Sequence, residues 1–213
     1  PVYPRGEEVG LDPREPVEDA ARILAGYHSV IAARVFQHST VARMAACSSV
    51  PVVNMLSDRS HPLQAVADII TMREHAGPID SLHVAWIGDY NNVARSLAEA
   101  VLMLGGSMAF GCPDGFGPDA AEMNRLRAVS DRVTSSTDPQ SAVSGANVVH
   151  TDTWVSMGQE AESAERLKVF AGYCVDEKLM TSAAPGARFM HCMPAYRGKE
   201  VSAEVMDGAR SLA

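Results

Sequence analysis

Basic charge is scarce in this sequence: 18 Lys and Arg stand against 26 Asp and Glu, giving a net charge of −8 and a pI near 5.3. That balance excludes the basic stripe on which nucleic-acid binders rely, although small anions can still be held by a local group of Arg and backbone N–H donors. No apolar run reaches the length of a membrane span, and no charged, apolar and small-residue succession marks a secretory leader. The reading is a cytoplasmic chain without a membrane partner. The four cysteines, Cys47, Cys112, Cys174 and Cys192, are far apart and form no CxxC pair, which excludes a disulfide-stapled scaffold and a paired-cysteine zinc site. No G-x-G-x-x-G string is present, so the dinucleotide fingerprint is lacking. Repeats and low-complexity tracts are also absent.

What is present is a 213-residue chain, 46% hydrophobic, long enough to bury a sizeable core. Apolar positions Val17, Ala20, Ala21 and Leu24 predict a helix over 15–24. A strand at 29–35 follows, then a helix through Ala46 with Ser39-Thr40 as N-cap, a strand at 50–56 and a helix at 63–75 ended by Gly77-Pro78. Beyond that point strands at 83–88, 107–112, 132–135, 147–151 and 187–191 alternate with helices at 92–104, 119–128, 139–144, 161–170 and 176–183. Such alternation implies right-handed βαβ crossovers, hence an α/β fold of parallel sheets with helices on both faces. Gly77-Pro78 reads as the boundary between residues 1–77 and 78–213. The chain starts at Pro1 and stops in Arg210-Ser211-Leu212-Ala213, which reads as the start of a strand, so both ends read as cut.

Chemistry-bearing residues cluster where strands end, which is where open α/β sheets place ligands. His61-Pro62-Leu63-Gln64 sits at a helix start, with Pro62 suited to the first helical position, and N–H groups there favour an anionic or carbonyl ligand. A plain capping role for His61 is the alternative. Gly88-Asp89-Tyr90-Asn91-Asn92 follows a strand, and its two amides suit a ligand with both donors and acceptors, although one of them is needed simply as an N-cap. Asp152, at another strand end, is followed by Ser156-Met157-Gly158, offering an anion and free backbone N–H groups to a zwitterion. Arg34 leaves an apolar strand and requires an anion, either a ligand or a local carboxylate. His191-Cys192-Met193-Pro194 closes the series after a buried strand.

Four such motifs in this order resemble the aspartate/ornithine carbamoyltransferase family, and Ser156-Met157-Gly158 with His191-Cys192 resembles its ornithine-using members rather than its aspartate-using ones. The resemblance covers nearly the whole chain. It implies two Rossmann-like domains: residues 1–77 as the second half of a carbamoyl-phosphate domain with the interdomain helix, and 78–213 as an ornithine domain lacking its C-terminal end. The implied reaction moves the carbamoyl group of carbamoyl phosphate to the δ-amine of L-ornithine, giving L-citrulline and phosphate in arginine metabolism. Arg34, His61 and Gln64 are implied to hold the carbamoyl group, the first two as oxyanion donors and Gln64 as acceptor from its NH2. Asn92, Asp152, Ser156 and the Met157 backbone are implied to hold the ornithine α-amino and α-carboxylate groups. Cys192 is implied beside the δ-amine, and the Met193 carbonyl to orient that amine and the carbamoyl NH2. No cofactor, metal or covalent intermediate is implied, and the full-length enzyme is expected to be a homotrimer.

Two residues depart from the pattern: Met193 stands where Leu is usual, which a backbone role tolerates, and Gln37 where Gly is common. The family's phosphate-binding Ser-x-Arg-Thr-Arg string does not occur in the 213 residues, and neither does its later Glu-Asn-Arg segment. The chain by itself is therefore expected to turn over little. A non-catalytic paralogue that binds an amino acid or a protein is the competing reading, opposed by retention of His61, Gln64, Asn92, Asp152 and Cys192. A dinucleotide-dependent oxidoreductase is opposed by the missing glycine fingerprint.

Overall fold

A computed structural model describes residues 10–12, 14–155 and 160–213. Its contacts divide the chain into two compact units, Pro1–Leu63 and Gln64–Ala213.

In the first unit, α1 (Val17–Tyr27) precedes a β1 (Ile31–Arg34), α2 (His38–Cys47), β2 (Val52–Leu56) crossover whose two strands pair in parallel. Ile31 and Ala33 face inward and pack with Val17, Ala21, Val41 and Met44, while Ala32 and Arg34 alternate outward. The period of two thus sorts this strand, whereas three to four residues separate the inward positions on the helices. Arg43 of α2 clamps Glu18 of α1 through a two-pronged ion pair, with bonds of 2.6 and 2.7 Å. The expected cap at Ser39-Thr40 is displaced: α2 begins at His38, after Gln37, whose own side chain makes no cap, and the first N–H of the helix is taken by Asp58 Oδ1 at 2.8 Å. The His38 ring is hooked to Ser57 through Nδ1 at 2.9 Å.

The second unit contains a five-stranded, all-parallel sheet in the order β5-β4-β3-β6-β7, formed by β3 (His83–Ile87), β4 (Ser107–Gly111), β5 (Val133–Ser136), β6 (Val148–Thr151) and β7 (Arg188–His191). Both faces are buried. Val84, Trp86, Met108, Phe110, Val148 and Met190 build one core with α4 (Asn92–Met103), α5 (Ala120–Arg127) and Met72 of α3 (Pro62–His75). Ala85, Ile87, Ala109, Val149 and Phe189 build the other with α6 (Pro139–Val143), α8 (Glu177–Met180) and α9 (Ala203–Met206). Continuous apolar strands of this kind are what a parallel sheet covered on both sides requires. The α/β class with helices on both faces therefore holds for this unit, in which α7 (Ser163–Val169) comes between β6 and α8 in chain order.

Two further differences from the sequence reading are structural. The helix expected over 176–183 is only Glu177–Met180, capped by Asp176, because the chain turns at Thr181. The short α9 was not anticipated; its four residues carry no period, and its cap at Ser202 is its only local signal. Residues 210–212 do approach β7 in parallel, through a bridge from Ser211 to Phe189. Among the described residues no helix is long and apolar enough to cross a membrane.

Candidate active site

Strand order reverses between β3 and β6, the switch point at whose C-terminal strand ends open parallel sheets place their ligands. Gly88 ends β3 with φ +119°, a conformation glycine adopts without a Cβ penalty, and the chain turns there into α4. Asn91 caps that helix: its Oδ1 accepts from the Val93 and Ala94 N–H groups, both at 3.0 Å. The other end of the same amide donates to Asp152 Oδ2 at 2.7 Å. Asp152 follows β6, is 9% exposed, and takes a second bond from its neighbour Thr153 N–H at 2.7 Å. The cap and the carboxylate are thus one assembly, and Asn92, the amide expected to meet the ligand, begins α4 beside it. The bridging role of Asn91 was missed, since an N-cap amide has a donor end that sequence cannot place.

Cys192 follows β7. Its Sγ, an Asp152 oxygen and a His191 nitrogen all lie within 4.8 Å of one another. Burial first, then the charge and hydrogen-bonding of Asp152, pushes the Cys192 thiol well above the usual thiol range. It stands next to the carboxylate as a neutral S–H rather than a nucleophilic thiolate. The three donors could suggest a divalent cation, but the His191 ring is turned to other groups. Nδ1 accepts the Met193 N–H at 2.9 Å, and Nε2 lies 3.5 Å from the fully buried Glu200. The Nδ1 lone pair is therefore spent on the backbone, and Nε2 faces a carboxylate within the core. His191 and Glu200 instead hold the turn: Glu200 also takes the Tyr196 N–H, and Met193 sits at φ +57° before a cis bond to Pro194.

The loop after Asp152 is anchored from behind. Arg166 of α7, 4% exposed, donates to the Trp154 carbonyl at 2.6 Å and pairs with Asp89, its guanidinium lying over Phe116 and Phe170. Burial raises the Asp89 carboxyl above its usual range, against the opposing pull of Arg166. Ser156 and Met157, expected to bind the ornithine carboxylate, lie outside the described residues.

The remaining expected residues divide between the units. Arg34 is the last residue of β1 and exposed, so the argument that a buried guanidinium demands an anion does not apply; the strand's alternation turns it outward. Among the described residues it makes no salt bridge. His61 directly precedes Pro62, the first residue of α3, as the motif requires. Beneath it, buried Ser57 bonds the Ser60 carbonyl at 3.3 Å and Asn54 Nδ2 reaches Ser60 Oγ at 2.8 Å, a polar network that shapes the His61 loop. In the second unit, Gln64 donates through Nε2 to Asp68 at 2.9 Å. Of the expected residues, the structure thus brings Asp152 and Cys192 together, with Asn92 on the turn beside them.

The family model for the aspartate/ornithine carbamoyltransferase carbamoyl-P binding domain matches residues 5–74, and the model for the Asp/Orn binding domain matches 80–213. The chain is 44% identical over 210 residues to an ornithine carbamoyltransferase of Thermus thermophilus, covering 99% of this chain and 68% of that protein. It is 46% identical over 217 residues to the ornithine carbamoyltransferase of Hyperthermus butylicus, covering all of this chain and 69% of the relative. Its fold superimposes on the solved structure of an ornithine carbamoyltransferase from Pyrococcus furiosus with a TM-score of 0.93 at 40% identity, over 99% of this chain and 69% of that one. With its cluster of site residues at the sheet's switch point and both domain models matched in order, the chain belongs to the aspartate/ornithine carbamoyltransferase family.

Proposed function

We propose that the native gene product transfers the carbamoyl group of carbamoyl phosphate to the δ-amine of L-ornithine, forming L-citrulline and phosphate. The observation that carries this reading is Asp152, a nearly buried carboxylate fixed by Asn91 and Thr153 with the neutral Cys192 thiol at its side. A fixed anion of this kind is a receptor for an ammonium group, and Asn92 adds a donor and acceptor beside it. An α-amino acid whose side chain ends in an amine satisfies both.

In this reading Asp152 and Asn92 orient ornithine, with Ser156 and the Met157 backbone taking its α-carboxylate. Arg34 and His61 donate to the carbamoyl oxygen as the tetrahedral intermediate forms, and Gln64 accepts from the carbamoyl NH2. The δ-amine attacks the carbamoyl carbon after losing a proton, and phosphate leaves with the C–O bonding pair. Cys192 as a neutral thiol adds no second negative charge, and the Met193 carbonyl accepts from the amine. Rate enhancement then comes from alignment and charge stabilisation.

The reading extends to residues 1–77 as the C-terminal half of the carbamoyl-phosphate domain with the interdomain helix and 78–213 as the ornithine domain without its C-terminal end, to a cytoplasmic homotrimer of the full-length enzyme, and to a place in arginine metabolism. It also holds that the 213 residues alone turn over little, since they contain no Ser-x-Arg-Thr-Arg string for the phosphate. The test is a steady-state assay of the native gene product with ornithine, putrescine and aspartate as competing acceptors. Carbamoylation of ornithine in clear preference to both supports the reading; preference for aspartate or for the diamine overturns it. Normal citrulline synthesis by the isolated 213-residue chain overturns the statement about that chain.

A further inference from the structure

The inward stripe of α3 is Ala65, Asp68 and Met72, spaced as a core stripe should be but with a carboxylate at its middle position. Asp68 is 3% exposed. One of its oxygens, Oδ1, accepts from Gln64 Nε2 at 2.9 Å. The other, Oδ2, lies 3.3 Å from Nε2 of His150, which is wholly buried on β6. His150 is itself fixed, stacked on Trp86 at 5.0 Å between ring centres with its Nδ1 3.1 Å from the Thr151 carbonyl. All of these residues belong to the second unit. A buried carboxylate is expensive, and a helix position facing an apolar core would ordinarily hold Leu or Ala. Nothing about the helix itself needs Asp here.

The chemistry of the pair explains it. The Gln amide can turn over, exchanging its oxygen for its NH2, and the two faces are nearly equal in shape. A carboxylate only accepts hydrogen bonds, so Asp68 binds the NH2 end of Gln64 and leaves Oε1 as the end offered to a ligand. The buried His150 ring lies against the second carboxylate oxygen at 3.3 Å, so that side of Asp68 is closed by packing.

We propose that Asp68, buried beside His150, is a positioning residue that locks Gln64 as a hydrogen-bond acceptor and thereby selects an acyl group bearing NH2 over one bearing methyl. The proposal rests on the reading of Gln64 as the residue that meets the carbamoyl NH2. A site whose acceptor is fixed discriminates against an isostere without the donor, because the acceptor is left unpaired.

The experiment measures dissociation constants of two inert probes against the native gene product: phosphonoacetamide, which ends in a carboxamide, and acetonylphosphonate, its methyl-ketone isostere. The unmodified protein binds the amide at least about tenfold more tightly, the ratio expected for one well-made hydrogen bond. Asp68→Asn can present its own NH2 to position 64, freeing Gln64 to turn, and the preference falls to near unity. Gln64→Glu combined with Asp68→Asn reverses the internal bond while keeping an acceptor toward the ligand, and restores the preference. A merely structural Asp68 would weaken both probes equally and would not be rescued. Retention of the amide preference by Asp68→Asn overturns the proposal while leaving the role of Gln64 intact. Retention of it by Gln64→Ala overturns the role of Gln64 itself. If Asp68→Asn does not fold, the double variant decides: folded with the preference supports the lock, and folded without it or unfolded overturns it.

Discussion

Asn91 holds two structures with one amide, and separating them gives the sharpest stability prediction. Its oxygen caps α4 through Val93 and Ala94, and its NH2 ties α4 to Asp152 after β6. Loss of an N-cap costs about 1 kcal/mol. A hydrogen bond to a charged, nearly buried group is worth about 1.5–3 kcal/mol. Asn91→Ala removes both, for a loss of about 2.5–4 kcal/mol. Asn91→Ser keeps a cap and loses the bridge, so it falls between Ala and the unmodified protein. Asn91→Asp also keeps a cap but sets a second carboxylate against Asp152. Two adjacent carboxylates raise a folded-state pKa above its unfolded value, so that variant is destabilised at neutral pH and recovers as pH falls. Urea unfolding of the native gene product at pH 7 and near pH 4.5 reads all four proteins. Equal stability of Asn91→Ser and the unmodified protein, or an Asn91→Asp variant undisturbed at pH 7, refutes the account of the bridge.

Other consequences follow from the same geometry. Because burial and Asp152 push the Cys192 thiol up, iodoacetamide at pH 8 should modify it at least about ten times more slowly than a free thiol, and Asp152→Asn should speed the reaction; mass-resolved alkylation of that peptide checks both. Glu122 is held at about 2, below its ordinary 4.5, chiefly by Arg125 and further by Tyr90 and Arg95. The sign for a lowered carboxyl is stability present above the unfolded value and lost as pH falls toward about 2, so Glu122→Gln should lower Tm at pH 7 and differ progressively less below pH 4.5. A Cβ at Gly111 in β4 would meet Ile87 Cδ1 at 2.8 Å, Ala142 Cβ at 3.0 Å and Pro139 Cα at 3.1 Å. Gly111→Ala should therefore cost about 1–3 kcal/mol in unfolding free energy, as overpacking does, and a cost near zero would mean that α6 yields.

How far the sequence carries depends on whether a residue's partner is near it in the chain. The strands of the second unit were legible because most are apolar runs bounded by turns, whereas the caps at Asp119 and Asp176, which act on N–H groups three residues away, went unread. The switch point could be located only in general terms, as strand ends. That β3 and β6 are neighbours, so that Asn91 meets Asp152 across 61 positions, is a product of strand order. Asp68 had a signal that went unused: a charged residue on the buried stripe of a helix, four positions after Gln64. Its partner His150, 82 positions further on in β6, carried none, since a His between Val149 and Thr151 reads as strand and nothing more. Arg34 shows the opposite error, in which proximity to apolar residues was read as burial although strand alternation turned it to the open side.

The central claim is the identity of the bond formed. Carbamoyl phosphate labelled with 13C at its carbonyl carbon, given to the native gene product with L-ornithine and followed by NMR, shows where the carbon goes. The account predicts a single new resonance at the δ-ureido carbon of citrulline, appearing as phosphate is released in equal amount. Label on the α-nitrogen, or release of phosphate with the label in bicarbonate and none in a ureido product, would contradict it.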